Sequence, residues 1–347
     1  MSGRDGGAPA AGSGSGPASV PMEQWGRRLS DAVRAALDAG DVAAALRLVR
    51  EGDGQTRSLA KEYSLMYRGL GITVRVILDE LRMSEDTAAG SGAAAGAAVV
   101  VHRFRSDFVR IMEQVWGDAP PPPGPLSSPA DEARECVALL EFGEQRFDAE
   151  QRGMAEQVAA ALEGGEVERA RELLDRKEAG QFVPLHDRLI RVMAESFAHV
   201  LAERGPDGLL QFHLDVAQGQ RAGIDKWEAL PARDLAHAFT FLLKQHMGTV
   251  EVREEPDRFV LEQALCGSGG RLVAGGAYAG PDALPRVRGG GVLTAGRDTL
   301  PVYCTHCPGW NTLAPQRWYG HPHVVVADPA RPDGACTLHI PKRAGST

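Results

Sequence analysis

The residues of this chain best suited to chemistry are its cysteines, four of which lie beyond residue 265. The segment Leu300–Asn311 (LPVYCTHCPGWN) contains Cys304 and Cys307 in a Cys-x-x-Cys spacing. This spacing, at the end of a short strand, lets two thiolates converge on one ion and therefore indicates a metal site. Cys266, which opens the glycine-rich sequence CGSGGRL, and Cys336 are two further candidate ligands.

Zinc is the predicted ion because it takes four nitrogen or sulfur ligands in a tetrahedron. The four cysteines would form a closed structural site. Three cysteines with one histidine, for which His306 is the candidate, or three ligands with an open position are the alternatives. The thiols could also be buried small hydrophobes, or Cys304 and Cys307 a redox pair. A redox pair expects a thioredoxin-like βαβ context, and the sequence around residue 304 does not have that pattern.

Several side chains near the cysteines in sequence could move protons. His246 closes a helix, whose C-terminal end stabilises a charged imidazolium. His321 and His323 lead into a strand, and alternation predicts that both lie on one face. Glu262 lies four residues before Cys266 on a predicted strand and is the candidate general base. The alternatives are a histidine that merely ends its helix and a solvent-exposed histidine pair.

His186 is interpreted differently from these candidates. It lies beside Asp187 in the first turn of a predicted helix, where a surface or capping role is expected.

The composition excludes several classes of protein. A net charge of -8 argues against nucleic-acid binding, which usually needs a basic stripe. The longest apolar run, Ala93–Val101, is far shorter than a membrane span, and the N-terminus lacks the apolar segment of a signal peptide. Five cysteines, an odd number, do not suit a secreted disulfide framework. We therefore expect a cytoplasmic protein with reduced thiols and no nucleic-acid or membrane partner.

Most of the chain up to Met247 shows helical periodicity, and one pattern occurs twice. A short helix, a glycine turn, a second short helix and a long helix follow one another in residues 23–116 and again in residues 133–247. The turn at Gly40 matches the turn at Gly165, an offset of 125 residues. The sequence therefore predicts two helical repeats, against the alternative that Ala-rich helices resemble each other by chance.

Three segments are predicted to lack regular structure. Residues 1–22 form a Gly/Ser/Ala/Pro-rich tail that has little to bury and is expected to be disordered. Thr87–Ala98 is interpreted as a flexible insertion. Residues 117–132 form a proline-rich linker between the two helical repeats.

The helical periodicity ends before residues 248–347. These residues are predicted to form a small zinc-binding β domain without helices. The predicted strands are Val250–Val252, Phe259–Leu265, Val302–Tyr303, Val324–Val326 and Thr337–Ile340. Small loop-rich units usually need a cross-link, such as a disulfide bond or a bound metal ion, to be stable. The predicted fold class is α+β: a duplicated, mainly helical region followed by a small antiparallel, metal-stapled unit.

The end of the chain also carries a family resemblance. In GACTLHI, the glycine-flanked Cys336 begins a strand of alternating apolar positions behind the cysteine cluster. In these features the last hundred residues resemble the small zinc-binding domains of 4-vinyl reductase type and of aminothiazoline-carboxylate hydrolase-like proteins. Cys304-Thr-His-Cys307 stands where that family has an acid-x-x-Cys pair. The resemblance implies a metal near a pocket for a small organic molecule, in a catalytic or a ligand-sensing role.

These observations favour a zinc-binding protein that acts on a small polar metabolite. As a metal-assisted hydrolase or lyase, it would use zinc to polarise a carbonyl or activate water, with one of the four candidate proton carriers beside it. The alternative is a non-enzymatic, ligand-binding or regulatory module whose zinc is structural. Four cysteine ligands would favour the module, and an open coordination position would favour the enzyme. An interaction scaffold built from the helices is a third hypothesis.

Overall fold

The computed structural model describes residues 20–86, 93–117 and 129–342. The predicted disorder of residues 1–19, the insertion at 87–92 and the linker at 118–128 therefore lie outside the described residues. At the edges of these segments the predicted boundaries are wrong. Val20 and Met22 pack against the protein core, Ala93 begins a helix, and Pro129 begins another.

The described part of the chain is mostly helical, followed by a small antiparallel sheet, which confirms the α+β class. The longer helices are α1 Leu29–Asp38, α2 Val42–Glu51, α3 Ser64–Asp86, α4 Ala93–Trp116, α5 Pro129–Glu163, α6 Val167–Asp175, α7 Val183–Gly219, α8 Arg221–Glu228 and α9 Ala232–Gln245. A π-helix over Arg176–Phe182 joins α6 to α7. None of the helices within these described ranges is long and apolar enough to cross a membrane.

The two predicted glycine turns have the same local structure. Gly40 and Gly165 have φ angles of 73° and 75°, which a residue with a Cβ rarely adopts. The amide after each glycine donates to a carbonyl five residues earlier, at 2.9 Å for Asp41 and 2.8 Å for Glu166. Residues of α1 and α2, which flank the first turn, and of α6 and the C-terminal end of α5, which flank the second, pack into one apolar cluster. The predicted short first helix of the second pattern is wrong, because it is the end of the 35-residue helix α5. The duplication of the whole helical region stays a prediction.

The strands are β1 Thr249–Glu254, β2 Arg258–Leu265, β3 Arg286–Arg288, β4 Thr299–Pro301, β5 Val325–Asp328 and β6 Cys336–Pro341. Four of them form an antiparallel sheet in the order β1-β2-β6-β5, and β3 pairs with β4. Strands are confirmed at all the predicted places except Val302–Tyr303, which lies in a 3-10 helix over Val302–Thr305. The prediction that helices stop is also wrong, because α10 Gly269–Ala274 and α11 Ala314–Tyr319 lie among the strands.

The apolar cores cross the boundaries of the predicted domains. Trp25, near the start of the chain, packs with Phe239 of α9 and Phe259 of β2. Tyr303 and Cys304 belong to the same buried cluster as Phe197 of α7. The sheet is therefore held against the helical body by shared apolar contacts.

A buried ionic network joins α1, the residues just before α3 and the π-helix. Nζ of Lys177 lies 3.1 Å from Oε2 of Glu62, and both side chains are almost completely buried. Ser30 donates to Glu62 from its backbone amide (2.8 Å) and its hydroxyl (3.1 Å). Oε2 of Glu178 lies 2.8 Å from Nη1 of Arg34. Buried charges are rarely stable unless they are paired in this way.

Glu178 is expected to make the free energy of unfolding depend on pH. Burial alone would raise the pKa of Glu178, but the charges of Arg28, Arg34 and Lys177 lower it below its ordinary value of 4.5. A lowered pKa contributes stability at neutral pH that is lost as the pH falls through the value in the folded state. Replacing Glu178 with Gln should therefore destabilise the protein at about pH 7, and the difference from wild type should shrink towards about pH 3.

Urea denaturation across this pH range measures the effect. Glu163, an exposed glutamate that pairs with Arg50, is the matched control. Glu163→Gln should stay within about 0.5 kcal/mol of wild type at every pH. A Glu178→Gln difference that is constant over the whole pH range would contradict the assignment.

Candidate functional site

The four C-terminal cysteines come from three separate segments that the fold brings together. Cys266 follows β2, Cys304 and Cys307 lie in and just after the 3-10 helix that follows β4, and Cys336 begins β6. The amide of Cys266 donates to the carbonyl of Gly334 at 3.0 Å, which ties it to the segment entering β6. None of the four forms a disulfide bond, and Cys304 and Cys336 are buried.

Three of the four thiols have pKa values that other thiols of the group raise, as neighbouring groups do. Burial is the main cause of a strongly raised pKa at Cys304, and Cys307, Cys266 and Cys336 raise it further. Burial likewise raises the pKa of Cys307, with contributions from Cys336 and Cys266. Burial and the charge of Cys266 raise the pKa of Cys336 to about 12. Without a cation beside them, these three groups are protonated thiols at neutral pH.

Two glycines of α10 let the backbone approach the cysteines closely. A Cβ atom at Gly269 would lie 2.6 Å from Sγ of Cys304. A Cβ atom at Gly270 would lie 2.9 Å from Cβ of Cys266 and 2.1 Å from the carbonyl oxygen of Gly334. These distances are too short for any side chain, so the CGSGG sequence is what allows the cysteine segments to pack together.

Gln263 is an unsatisfied polar group beside this cluster. It lies opposite Cys336 in the β2–β6 ladder and is 1% exposed. Neither its amide nitrogen nor its amide oxygen has a hydrogen-bond partner among the described residues. Side chains of directly opposed residues lie on one face and close together. A thiolate at Cys336 would accept a hydrogen bond from this amide better than a thiol does.

The cysteines are close together without forming a complete ligand sphere. Within the described residues, no group of three or more Cys, His, Asp or Glu side chains is arranged so that it could hold a metal ion as it stands. The chemical groups present nevertheless fit a metal site with thiolate ligands. They are the sulfur donors, the close glycine contacts and the unsatisfied amide of Gln263. Closing it would require the sulfur atoms to move towards a common centre.

His306 lies between the cysteines and the helical body. Its Nδ1 donates to the carbonyl oxygen of Tyr303 at 2.5 Å. Its Nε2 is therefore the acceptor in the contact with Sγ of Cys307, at 3.5 Å. Burial lowers the pKa of His306 to about 4, so its imidazole is neutral. Its free lone pair makes His306 a possible metal ligand or a hydrogen-bond acceptor for the thiol.

His246 lies at the end of a chain of hydrogen bonds whose central residue, His186, is buried. Its Nδ1 lies 2.7 Å from Nε2 of His186, and Nδ1 of His186 lies 2.8 Å from Oδ1 of Asp187. The other carboxylate oxygen of Asp187 pairs with Nη2 of Arg271 at 2.8 Å. His186 is 1% exposed, so its predicted surface or capping role is wrong.

The protonation states of this chain follow from its partners. Burial would raise the pKa of Asp187, but hydrogen bonds from His186 and Arg271 lower it, so Asp187 is an ionised acceptor. Burial lowers the pKa of His186 and, more strongly, that of His246, so both rings are neutral. Since His186 donates to Asp187 through Nδ1, its Nε2 accepts from His246. This leaves Nε2 of His246 unprotonated, as a base or ligand requires.

The structure does not bring Glu262 to the cysteines. Its carboxylate pairs with Nη1 of Arg253 at 2.6 Å, on the exposed side of the sheet. Its neighbour Gln263 is opposite Cys336, whereas Glu262 is opposite Thr337. Because successive side chains of a strand point to opposite faces, Glu262 points away from the face that carries Cys336.

His321 and His323 do lie together, as predicted, in a cluster of their own. Their Nε2 atoms lie 3.2 Å and 2.7 Å from the two carboxylate oxygens of Glu228 in α8. The ring of Tyr319 stacks on His323 with a centroid distance of 5.2 Å. Glu228 thus holds both imidazoles through its two carboxylate oxygens.

Comparison with known protein families, curated proteins and solved structures finds no match to this chain. The assignment of the site therefore depends on its own residues.

Proposed function

We propose that this chain is a cytoplasmic zinc-binding protein that binds a small polar metabolite, with the ion held by Cys266, Cys304, Cys307 and Cys336. The observation that carries the proposal is the gathering of four unpaired thiols from three chain segments. Free thiols that are neighbours suit a reducing compartment. The resemblance of the last hundred residues to zinc-binding domains of 4-vinyl reductase type supports the same assignment.

Four thiolates would complete the coordination of the ion and leave no open position. Such a site would join the end of β2, the 3-10 helix after β4 and the start of β6. Zinc bound there would supply folding free energy rather than reactivity. This arrangement favours the non-enzymatic function, a ligand-binding or regulatory module, over the metal-dependent hydrolase or lyase.

The enzyme remains the second candidate because of the chain formed by His246, His186 and Asp187. Asp187 orients His186, and His186 in turn holds His246 with its Nε2 free to accept a proton. His246 is partly accessible, whereas His186 behind it is buried. In an enzyme with three protein ligands on zinc, His246 would be the general base. His321 and His323 would then belong to a separate site.

Metal analysis of purified variants tests the proposal. The wild-type chain should hold about one zinc ion, and Cys→Ser at 266, 304, 307 or 336 should each reduce zinc to well below stoichiometric levels. Cys136, a buried cysteine in the helical core, provides the matched control. Cys136→Ala and His306→Ala should keep the metal.

The same measurement separates the two candidates. Loss of zinc from all four Cys→Ser variants but not from His306→Ala supports the structural site, whereas loss from only three of these five variants, which leaves an open coordination position, supports the catalytic one. A wild-type chain that takes up no zinc when refolded with the metal refutes both.

A further inference from the structure

A cavity lies on the outer side of the histidine chain. It has a volume of about 440 Å³, is open to solvent, and lies between α7 and the loop that follows α10. That volume is in the range of pockets that hold small organic molecules. Its charged wall consists of Arg191, Arg271, Asp187 and Asp282.

Two guanidinium groups from different elements, those of Arg191 and Arg271, line this cavity. Arg271 is held by Asp187, through a contact of 2.8 Å to Nη2. Nε of Arg271 is buried and has no hydrogen-bond acceptor among the described residues. Arg191 is held by Glu195 through Nε at 3.0 Å. Each guanidinium is thus held by one carboxylate, and both side chains line the cavity.

The rest of the wall limits the ligand. Leu272, Ala277 and Pro281 give the cavity an apolar side. The carboxylates of Asp187 and Asp282 balance the two guanidinium charges. A dianion such as phosphate would face repulsion from both carboxylates, whereas a singly charged carboxylate can pair with a guanidinium through two hydrogen bonds.

We propose that this cavity binds a small monocarboxylate with an apolar body, its carboxylate on Arg271 and Arg191 and its body on the apolar side. The inference adds a ligand class and a location to the small-molecule part of the proposed function, and rests on that part only. The zinc site is not required for it.

Calorimetric titration of benzoate into the full-length protein tests the inference, with benzamide as the uncharged probe of nearly the same shape. Benzoate should bind at least ~10-fold more tightly than benzamide. Arg271→Gln should weaken benzoate binding at least ~10-fold, and Arg191→Gln should weaken it as well. Arg288, an exposed arginine outside the cavity wall, supplies the control, and Arg288→Gln should bind like wild type.

Three results would overturn the inference: no binding of benzoate, equal binding of benzamide, or wild-type affinity in both Arg191→Gln and Arg271→Gln. Tighter binding of inorganic phosphate than of benzoate would refute the ligand class. Arg191→Gln leaves the Asp187–Arg271 pair intact, so it reports on binding even where Arg271→Gln fails to fold. Zinc measured on the same samples separates the two proposals, because a wild-type protein that holds zinc but does not bind benzoate counts against this cavity alone.

Discussion

Replacing Lys177 with Met is expected to lower the free energy of unfolding by about 3–5 kcal/mol, because it leaves the Glu62 carboxylate buried without its counter-ion. The two charged groups are 3.1 Å apart and almost completely buried. Ser30 donates two hydrogen bonds to Glu62 but carries no charge. Lys244 lies near Glu62, yet its ammonium donates to the carbonyl of Arg27 at 2.9 Å.

A double-mutant cycle separates the free energy of the lost ion pair from the cost of leaving one charge buried without a partner. Glu62→Gln combined with Lys177→Met removes both charges and should cost much less than the sum of the two single substitutions. The matched control lies one residue before Glu62, since Lys61 makes an exposed pair with Asp148 at 3.5 Å. Lys61→Met should cost no more than about 1 kcal/mol. A Lys177→Met variant that unfolds in urea like the Lys61→Met variant would disprove the prediction.

The buried ionic network could not be predicted from the sequence. Lys177 and Glu178 lie in a run of charged residues that resembles an ordinary solvated helix face, because charged side chains are mostly exposed. They are buried in the fold, where Lys177 pairs with Glu62, just before α3, and Glu178 pairs with Arg34 of α1. By contrast, the glycine turns were predictable, because Gly40 and Gly165 are local signals that need no tertiary contact.

The candidate site likewise has a part that could be predicted from the sequence and a part that could not. That the cysteines come together was predictable, because they are potential metal ligands in a small, loop-rich β unit. The histidine chain was not, since His186 in α7 and His246 after α9 are sixty residues apart and meet only through tertiary packing. The adjacency of His186 and Asp187 was the one available signal, and an exposed helix start explains that pair equally well.

The Val302–Tyr303 segment shows why a local pattern can be misleading. A β-branched and an aromatic residue after Pro301 read as a strand. In the structure Val302, Tyr303 and Cys304 are all buried, whereas a strand would point Tyr303 to the opposite face from its two neighbours. The 3-10 helix buries all three side chains and places Cys304 beside the other cysteines.

Replacing Gly270 with Ala is expected to lower the free energy of unfolding by about 3 kcal/mol, at the upper end of overpacking costs. The new methyl group would lie 2.1 Å from the carbonyl oxygen of Gly334, a backbone atom that cannot rotate away. Relief requires the Cys266 turn to separate from the segment that enters β6. The same movement pulls Cys266 away from Cys336, so the zinc content should fall with the stability.

Gly291 is the matched glycine in the same unit. A Cβ atom there meets nothing within 4 Å, and its φ of -95° is open to any residue. Gly291→Ala should therefore stay within about 0.5 kcal/mol of wild type and keep its zinc. If Gly270→Ala loses stability but keeps its zinc, the cysteines do not depend on this close approach, and the proposed coupling of the turn to the metal site is wrong. If both properties fall together in Gly270→Ala alone, the contact between α10 and Gly334 is what holds the thiols within reach of one ion.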